Sequence, residues 1–159
     1  MTLTFTDAGL LTPAKGIETS LEIIGQHFVQ AFPHSETRQR LFENFQNYLN
    51  SFQEEIFPWF GQWVDGSFVT LKENPKDIDV VTFLDWEVVE SKKSRLDRFY
   101  SFALENKGLD TYIVAVYPPG HPAFSRYRVD AEVWENRFTK DREGNPKGFL
   151  RIVFEKNIQ

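Results

Sequence analysis

Residues Gly61 to Phe83 read GQWVDGSFVTLKENPKDIDVVTF. Two features of this stretch decide the fold: a Gly-Ser turn at Gly66-Ser67, and a D-x-D pair, Asp77-Ile78-Asp79, at the head of an apolar run. Asp77 to Val81 reads as the start of a buried β-strand, and strand alternation sends Asp77 and Asp79 to one face and Ile78 to the other. Two carboxylates side by side at a strand end repel each other unless a cation lies between them. Oxygen-only ligands of this kind suit Mg²⁺ bound together with substrate phosphates. Upstream, Gln62 to Val64 is a short apolar approach that fits a strand, and Asp65-Gly66-Ser67 is a turn. Gly66 permits close approach of a phosphate, while the Ser67 hydroxyl and nearby amides can donate to phosphate oxygens. Strand, Gly-Ser, loop, strand with D-x-D is thus the layout of a nucleoside-triphosphate site. The plainer alternatives are a solvated loop end for Asp77 and Asp79 and a simple turn residue for Ser67. Asp65 stays open between turn chemistry and a supporting role.

Composition narrows the class. The chain has 159 residues, one domain by length and enough to bury a real core, and its 16 phenylalanines make that core bulky. With no cysteine, disulfides and thiolate zinc sites are excluded. No basic patch leads into an apolar run at the N-terminus, and no segment approaches about 18 continuous apolar residues, so neither secretion nor membrane spanning is expected and the cytoplasm is the default location. A formal charge of −5 argues against a broad surface for duplex DNA or long RNA. A small nucleotide carrying its own metal ions, or a basic protein partner, fits better.

Along the rest of the chain, Met1 to Lys15 shows no period and reads as an irregular arm. Thr19 and Glu22 form a capping-box pattern ahead of Leu21, Ile24, Phe28 and Phe32, predicting a helix from about Ser20 to Ala31. Ser35 is the predicted N-cap of a second helix whose face is Leu41, Phe42, Phe45, Tyr48, Leu49 and Phe52. After the D-x-D strand, a helix is predicted from about Lys92 to Asn106 with Gly108 as its cap. A β-branched and aromatic strand over Leu109–Tyr117 follows, then a helix over Ala123–Phe138. A turn at Asp141–Gly148 leads to a last strand over Phe149–Glu155. The sum is an α+β domain, a mixed sheet with helices packed mainly on one face. Residues 1–60 form an arm and helices, 61–117 the core, and 118–159 a C-terminal helix and strand.

Gly66-Ser67 followed by Asp77-Ile78-Asp79 resembles the signature of the polymerase-β-type nucleotidyltransferase superfamily, especially its small stand-alone minimal nucleotidyltransferases, over about Trp63 to Tyr117. The segment Gly16-Ile17-Glu18-Thr19-Ser20-Leu21-Glu22 is also similar to a group of uncharacterised bacterial proteins with the same core. The resemblance implies a nucleotidyltransferase-like fold with Mg²⁺ on Asp77 and Asp79 and a phosphate clamp at Gly66 and Ser67. It also implies a third carboxylate on the neighbouring strand, for which Asp110 is the choice; the alternative is that Asp110 merely caps that strand after Gly108. The implied reaction transfers a nucleoside monophosphate, AMP first among them, from ATP or another NTP to a hydroxyl of a protein or RNA. The implied role is the antitoxin of a toxin–antitoxin or phage-defence pair, with a cognate toxin as partner.

One departure matters. Many minimal nucleotidyltransferases carry an Arg and a second Gly after Gly-Ser, whereas Phe68, Val69, Thr70 and Leu71 stand here. Basic phosphate contacts then come from elsewhere, with Lys76 and Lys72 the nearest candidates and solvated turn residues the plainer reading of both; Lys147, before Gly148, reads as a hairpin-turn lysine on a turn that could sit near the site. The departure also keeps a second expectation open, a nucleotidyltransferase-fold module that neutralises a partner by contact or senses nucleotide. His27, His34 and His121 have no metal-ligand spacing.

Overall fold

The computed structural model describes residues 1–100 and 107–156. The chain opens with a small antiparallel hairpin, β1 (Thr4–Phe5) and β2 (Leu11–Thr12). The predicted irregular arm is therefore ordered: Leu3 and Leu11 are buried, and the Thr4 and Thr12 hydroxyls lie 2.8 Å apart across the pair. Strands this short carry too few residues to show a period. β3 (Gly16–Glu18) follows, then α1 (Leu21–Gly25), which runs into a π-helical turn at Gln26–Gln30. The cap of α1 is Ser20, whose hydroxyl accepts from the Ile23 amide at 3.3 Å, and not Thr19.

α2 (Arg38–Glu55) buries Leu41, Phe42, Phe45, Tyr48, Leu49 and Phe52, the predicted face. Its N-cap position is Thr37, but the Ser35 hydroxyl accepts from the Thr37 and Arg38 amides, at 3.3 and 3.2 Å, and so does the capping chemistry. Phe52 packs edge-on against Phe60 and Phe99, with ring centroids 4.8 and 5.2 Å apart. Truncating such a ring to alanine typically costs about 3–5 kcal/mol.

β4 (Phe60–Asp65) and β5 (Ile78–Asp85) come next, then α3 (Trp86–Ser91), capped by the Asp85 carboxylate accepting from the Glu87 amide at 2.8 Å. The predicted Lys92–Asn106 helix is broken where it is described. α4 (Lys93–Leu96) gives way to a 3-10 turn, Asp97–Phe99, and Tyr100 is extended. Residues 101–106, with the predicted Ala103 and Leu104 positions, lie outside the described residues. β6 (Leu109–Val116), α5 (Phe124–Phe138) and β7 (Phe149–Phe154) complete the chain.

The protein is α+β. Its main sheet has five strands in the order β3-β7-β4-β5-β6; β4 is antiparallel to β5 and β7, while β5 and β6 are parallel, as are β3 and β7. Alternation gives the sheet two apolar faces. Val64, Ile78, Val80, Leu84 and Leu150 share a core with Ile24, Phe28, Leu41, Phe45 and Phe52 from the N-terminal helices. Trp63, Val81, Tyr112, Val114 and Phe149 meet Tyr127, Trp134 and Phe138 of α5 on the other side. Among the described residues the helices thus lie mainly on one face, with α5 on the opposite one. No helix among the described residues is long and apolar enough to cross a membrane.

Candidate functional site

The site is a row across three strands. Asp65, at the end of β4, is the Cα partner of Asp79 on β5, and Asp79 is in turn the partner of Asp110 on β6. Directly opposed residues project to the same face of a sheet, so this register sets three carboxylates side by side on the α5 face. Asp77, by contrast, lies just ahead of β5, which opens at Ile78. Strand alternation therefore does not orient it as the sequence reading has it, although its charge still acts on Asp79.

Burial pushes the Asp79 carboxyl up from 3.8 to about 6, and the neighbouring charges of Asp77 and Asp110 push the same way; Arg137 and Lys147 oppose them. Like charges crowded at a half-buried strand end hold protons or a cation.

Gly66 is what lets the loop close on this row. It has φ 87°, in the left-handed region, and a Cβ there would lie 3.1 Å from Asp79 Oδ2 and 3.2 Å from its Cγ. Glycine is thus required both by the turn and by the carboxylate beside it. Ser67 opens a 3-10 turn, Ser67–Val69, in which the Val69 amide donates to the Gly66 carbonyl at 3.1 Å and the Thr70 hydroxyl donates to the Ser67 carbonyl at 2.7 Å.

A clasp outside the loop holds it in place. Arg38, fully buried at the start of α2, donates to the carbonyls of Phe28, Phe68 and Thr70 at 2.9, 2.8 and 2.8 Å, and through Nε to that of Lys72 at 3.2 Å. Its guanidinium also stacks 3.9 Å from the Phe32 ring centroid. Burial lowers its pKa to about 10, which leaves it charged at neutral pH. The Leu71 amide donates to the Gly9 carbonyl at 3.0 Å, tying the same loop to the N-terminal hairpin. Lys72 and Lys76 are exposed.

On the other flank, the Tyr112 hydroxyl donates to Asp110 Oδ2 at 3.3 Å. The Tyr112 ring packs 4.4 Å from that of Trp134, and the Arg137 guanidinium lies 5.2 Å from the Trp134 ring. This chain of contacts brings the C-terminal end of α5 over the acidic row. Burial, then Asp110, raises the Tyr112 pKa.

Two residues the sequence reading left undecided are part of the site. Lys147 is buried and its ammonium donates to Asp65 Oδ1, also buried. Burial pushes the Asp65 carboxyl up to about 7, with Lys147 pulling it down. The lysine is held by its backbone: its amide donates to the Thr139 carbonyl at 2.9 Å, and the Gly148 amide to the Leu11 carbonyl at 2.6 Å. The preceding turn is wound around Asp141, whose carboxylate accepts from the Glu143 and Asn145 amides at 2.9 and 2.8 Å. The available sequence signal was the position of Asp65 next to Gly66-Ser67; nothing local marks Lys147. His121, its ring packed at a tilt against Trp86 and Tyr117, belongs to the opposite ends of β5 and β6.

The residues present suit a hard cation in kind, since they are oxygen donors whose mutual repulsion a divalent ion relieves. Among the described residues no three carboxylate or imidazole groups close on one point. Mg²⁺ asks less than that, because one or two carboxylates suffice when water and substrate phosphates complete the octahedron. Asp79 with Asp77 or Asp110 meets that requirement.

No curated protein and no solved structure matches the chain. A family model described as "Family of unknown function (DUF6932)" matches residues 3–153, nearly the whole sequence, and the chain belongs to that family.

Proposed function

We propose that this protein is a cytoplasmic Mg²⁺-dependent nucleotidyltransferase that moves a nucleoside monophosphate, AMP first, from an NTP to a hydroxyl of a protein or RNA, as the antitoxin of a toxin–antitoxin or phage-defence pair. What carries the reading is the pairing of Asp79 with Asp110 in one register row, with the Gly66-Ser67 loop seated against the Asp79 carboxylate.

In this reading the Gly66-Ser67 turn receives phosphate oxygens through its amides and the Ser67 hydroxyl. Asp79 with Asp77 or Asp110 would hold Mg²⁺, which would supply charge neutralisation at the transferring phosphate. Asp110 also orients the acceptor hydroxyl and takes its proton. The acceptor oxygen bonds to the α-phosphorus as the bond from that phosphorus to the leaving oxygen breaks, releasing pyrophosphate. Arg38 fixes the loop through its carbonyls. The net charge of −5 favours a compact nucleotide or a basic partner over duplex DNA.

A second reading, a nucleotidyltransferase-fold module that neutralises a partner by contact or senses nucleotide, draws on Phe68 and Val69 standing where an Arg and a second Gly are common, and on the absence of three converging carboxylates among the described residues. Transfer of label from α-labelled NTPs, with cell lysate as acceptor source and the Asp77→Ala/Asp79→Ala variant alongside, separates the two. Aspartate-dependent labelling supports the enzyme, and nucleotide binding without transfer supports the module.

A further inference from the structure

Phe68 and Val69 follow Ser67, so the loop brings no cation of its own at those positions. Arg38 is spent on loop carbonyls and Lys147 on Asp65. We propose that Arg137, in the last turn of α5, binds the phosphates of a nucleotide held at the Gly66-Ser67 loop. This inference rests on the nucleotidyltransferase reading and deepens it.

The end of α5 is fixed to the acidic row on both flanks. On the β6 side the Trp134 ring packs 4.4 Å from that of Tyr112, whose hydroxyl donates to Asp110. On the β4 side the carbonyl of Thr139, just past the helix, accepts from the Lys147 amide at 2.9 Å, and the Lys147 ammonium reaches Asp65. Phe138 is buried against Phe149 between these anchors. Arg137 stands in the same turn, and Asp79 is the middle carboxylate of the row. The charge of Arg137 falls on Asp79 accordingly, ahead of that of Lys147. Asp79 is also the carboxylate against which Gly66 closes, so an anion on that loop lies within reach of the same positive charge.

The guanidinium is held in place without being consumed. Arg137 is exposed, and it forms neither an ion pair nor a hydrogen bond among the described residues, where the ion pairs are Arg98–Glu55 and Lys147–Asp65. Its contact is with the Trp134 ring, 5.2 Å from the ring centroid. Packing on an indole restrains the guanidinium plane and leaves its fork of N–H donors open, a geometry that matches phosphate oxygens. An arginine whose purpose was to neutralise Asp79 would close on it to hydrogen-bonding distance. A favourable interaction with the helix dipole accounts for a basic residue in the last turn, but not for its place over the row.

Isothermal titration calorimetry with Mg²⁺ and the α,β-methylene analogue of ATP tests this without turnover. Arg137→Gln, which keeps a side-chain stem over Trp134 and removes the charge, is expected to weaken binding of the analogue by roughly tenfold or more, and Arg137→Ala by at least as much. Arg128→Ala, which removes an equal charge nearer the start of the same helix, is expected to bind as the native protein does. The direction of change separates a phosphate contact from charge balance: if Arg137 served only to balance Asp79, its removal would leave that carboxylate freer to hold Mg²⁺, and binding would hold or tighten. Native-like affinity in Arg137→Gln, or an equal loss in Arg128→Ala, would overturn the inference and leave the nucleotidyltransferase reading standing. A folded native protein that binds no analogue would remove both.

Discussion

Asp65 and Asp79 face each other across the β4–β5 ladder, and Gly66 leaves out the one carbon atom that would crowd the Asp79 carboxylate. Asp65 has Lys147 as its counter-charge, but the Asp79 carboxylate adds negative charge at a buried strand end beside Asp77 and Asp110, and the stability should record this.

For Asp79 the sign is definite. Its folded-state pKa, about 6, is raised above the 3.8 of the free group, so the folded protein holds the proton more tightly. The contribution to stability is present below about pH 4 and is lost as pH rises through about 6. Asp79→Asn, measured in EDTA, should therefore be more stable than the native protein at pH 7.5, by about 1–2 kcal/mol after allowance for solvent screening, or a melting temperature a few degrees higher. At pH 4 the gain should vanish. A variant no more stable at pH 7.5 would mean that the charge is already compensated.

Gly66→Ala places a methyl group 3.1 Å from Asp79 Oδ2 on a backbone with φ 87°. A loss of about 1–2 kcal/mol is expected in thermal or denaturant unfolding. Nucleotide binding should suffer more than that, because the loop and the carboxylate can no longer share the space. Comparison of the unfolding midpoint with the affinity for a methylene NTP analogue checks the difference.

Arg38 serves carbonyls on both sides of the loop, so Arg38→Met should cost about 3–5 kcal/mol or prevent folding. Arg38→Lys should recover only part, since one ammonium cannot span the same oxygens. In Arg38→Lys, amide hydrogen exchange should accelerate at Val69, Thr70 and Leu71 ahead of the strands. Uniform acceleration would show the guanidinium to be a general core residue and not a clasp.

For the Asp65–Lys147 pair, Lys147→Met alone should destabilise by about 3–5 kcal/mol by leaving a buried carboxylate without its counter-charge. Asp65→Asn/Lys147→Met should regain most of this. A double-mutant cycle in urea gives the coupling directly, and additive losses would contradict a paired state.

Much of this was legible in the chain. The alternation around Val80 and Val81, the heptad-like face of α2 and the β-branched run after Gly108 each placed an element within a residue or two of where it lies. The turn at Gly66 follows from local turn chemistry, while its closeness to Asp79 comes from the β4–β5 pairing. What stayed hidden depends on long-range pairing. Nothing near β7 says that it inserts between β3 and β4, and only that insertion carries Lys147 to Asp65. The burial of Arg38 is likewise not a local matter, because its carbonyl partners lie far from it along the chain. The two-residue strands β1 and β2 are fixed by pairing and by the burial of Leu11, which no periodicity reports.

The central claim is nucleotidyl transfer, and it is tested most directly by incubating the protein with α-labelled ATP, CTP, GTP or UTP, Mg²⁺ and cell lysate, beside Asp77→Ala/Asp79→Ala. Label on a protein or RNA band from the native protein, and none from the variant, is the predicted result. A folded native protein that transfers no label from any nucleotide, or a variant that transfers as much, would contradict it.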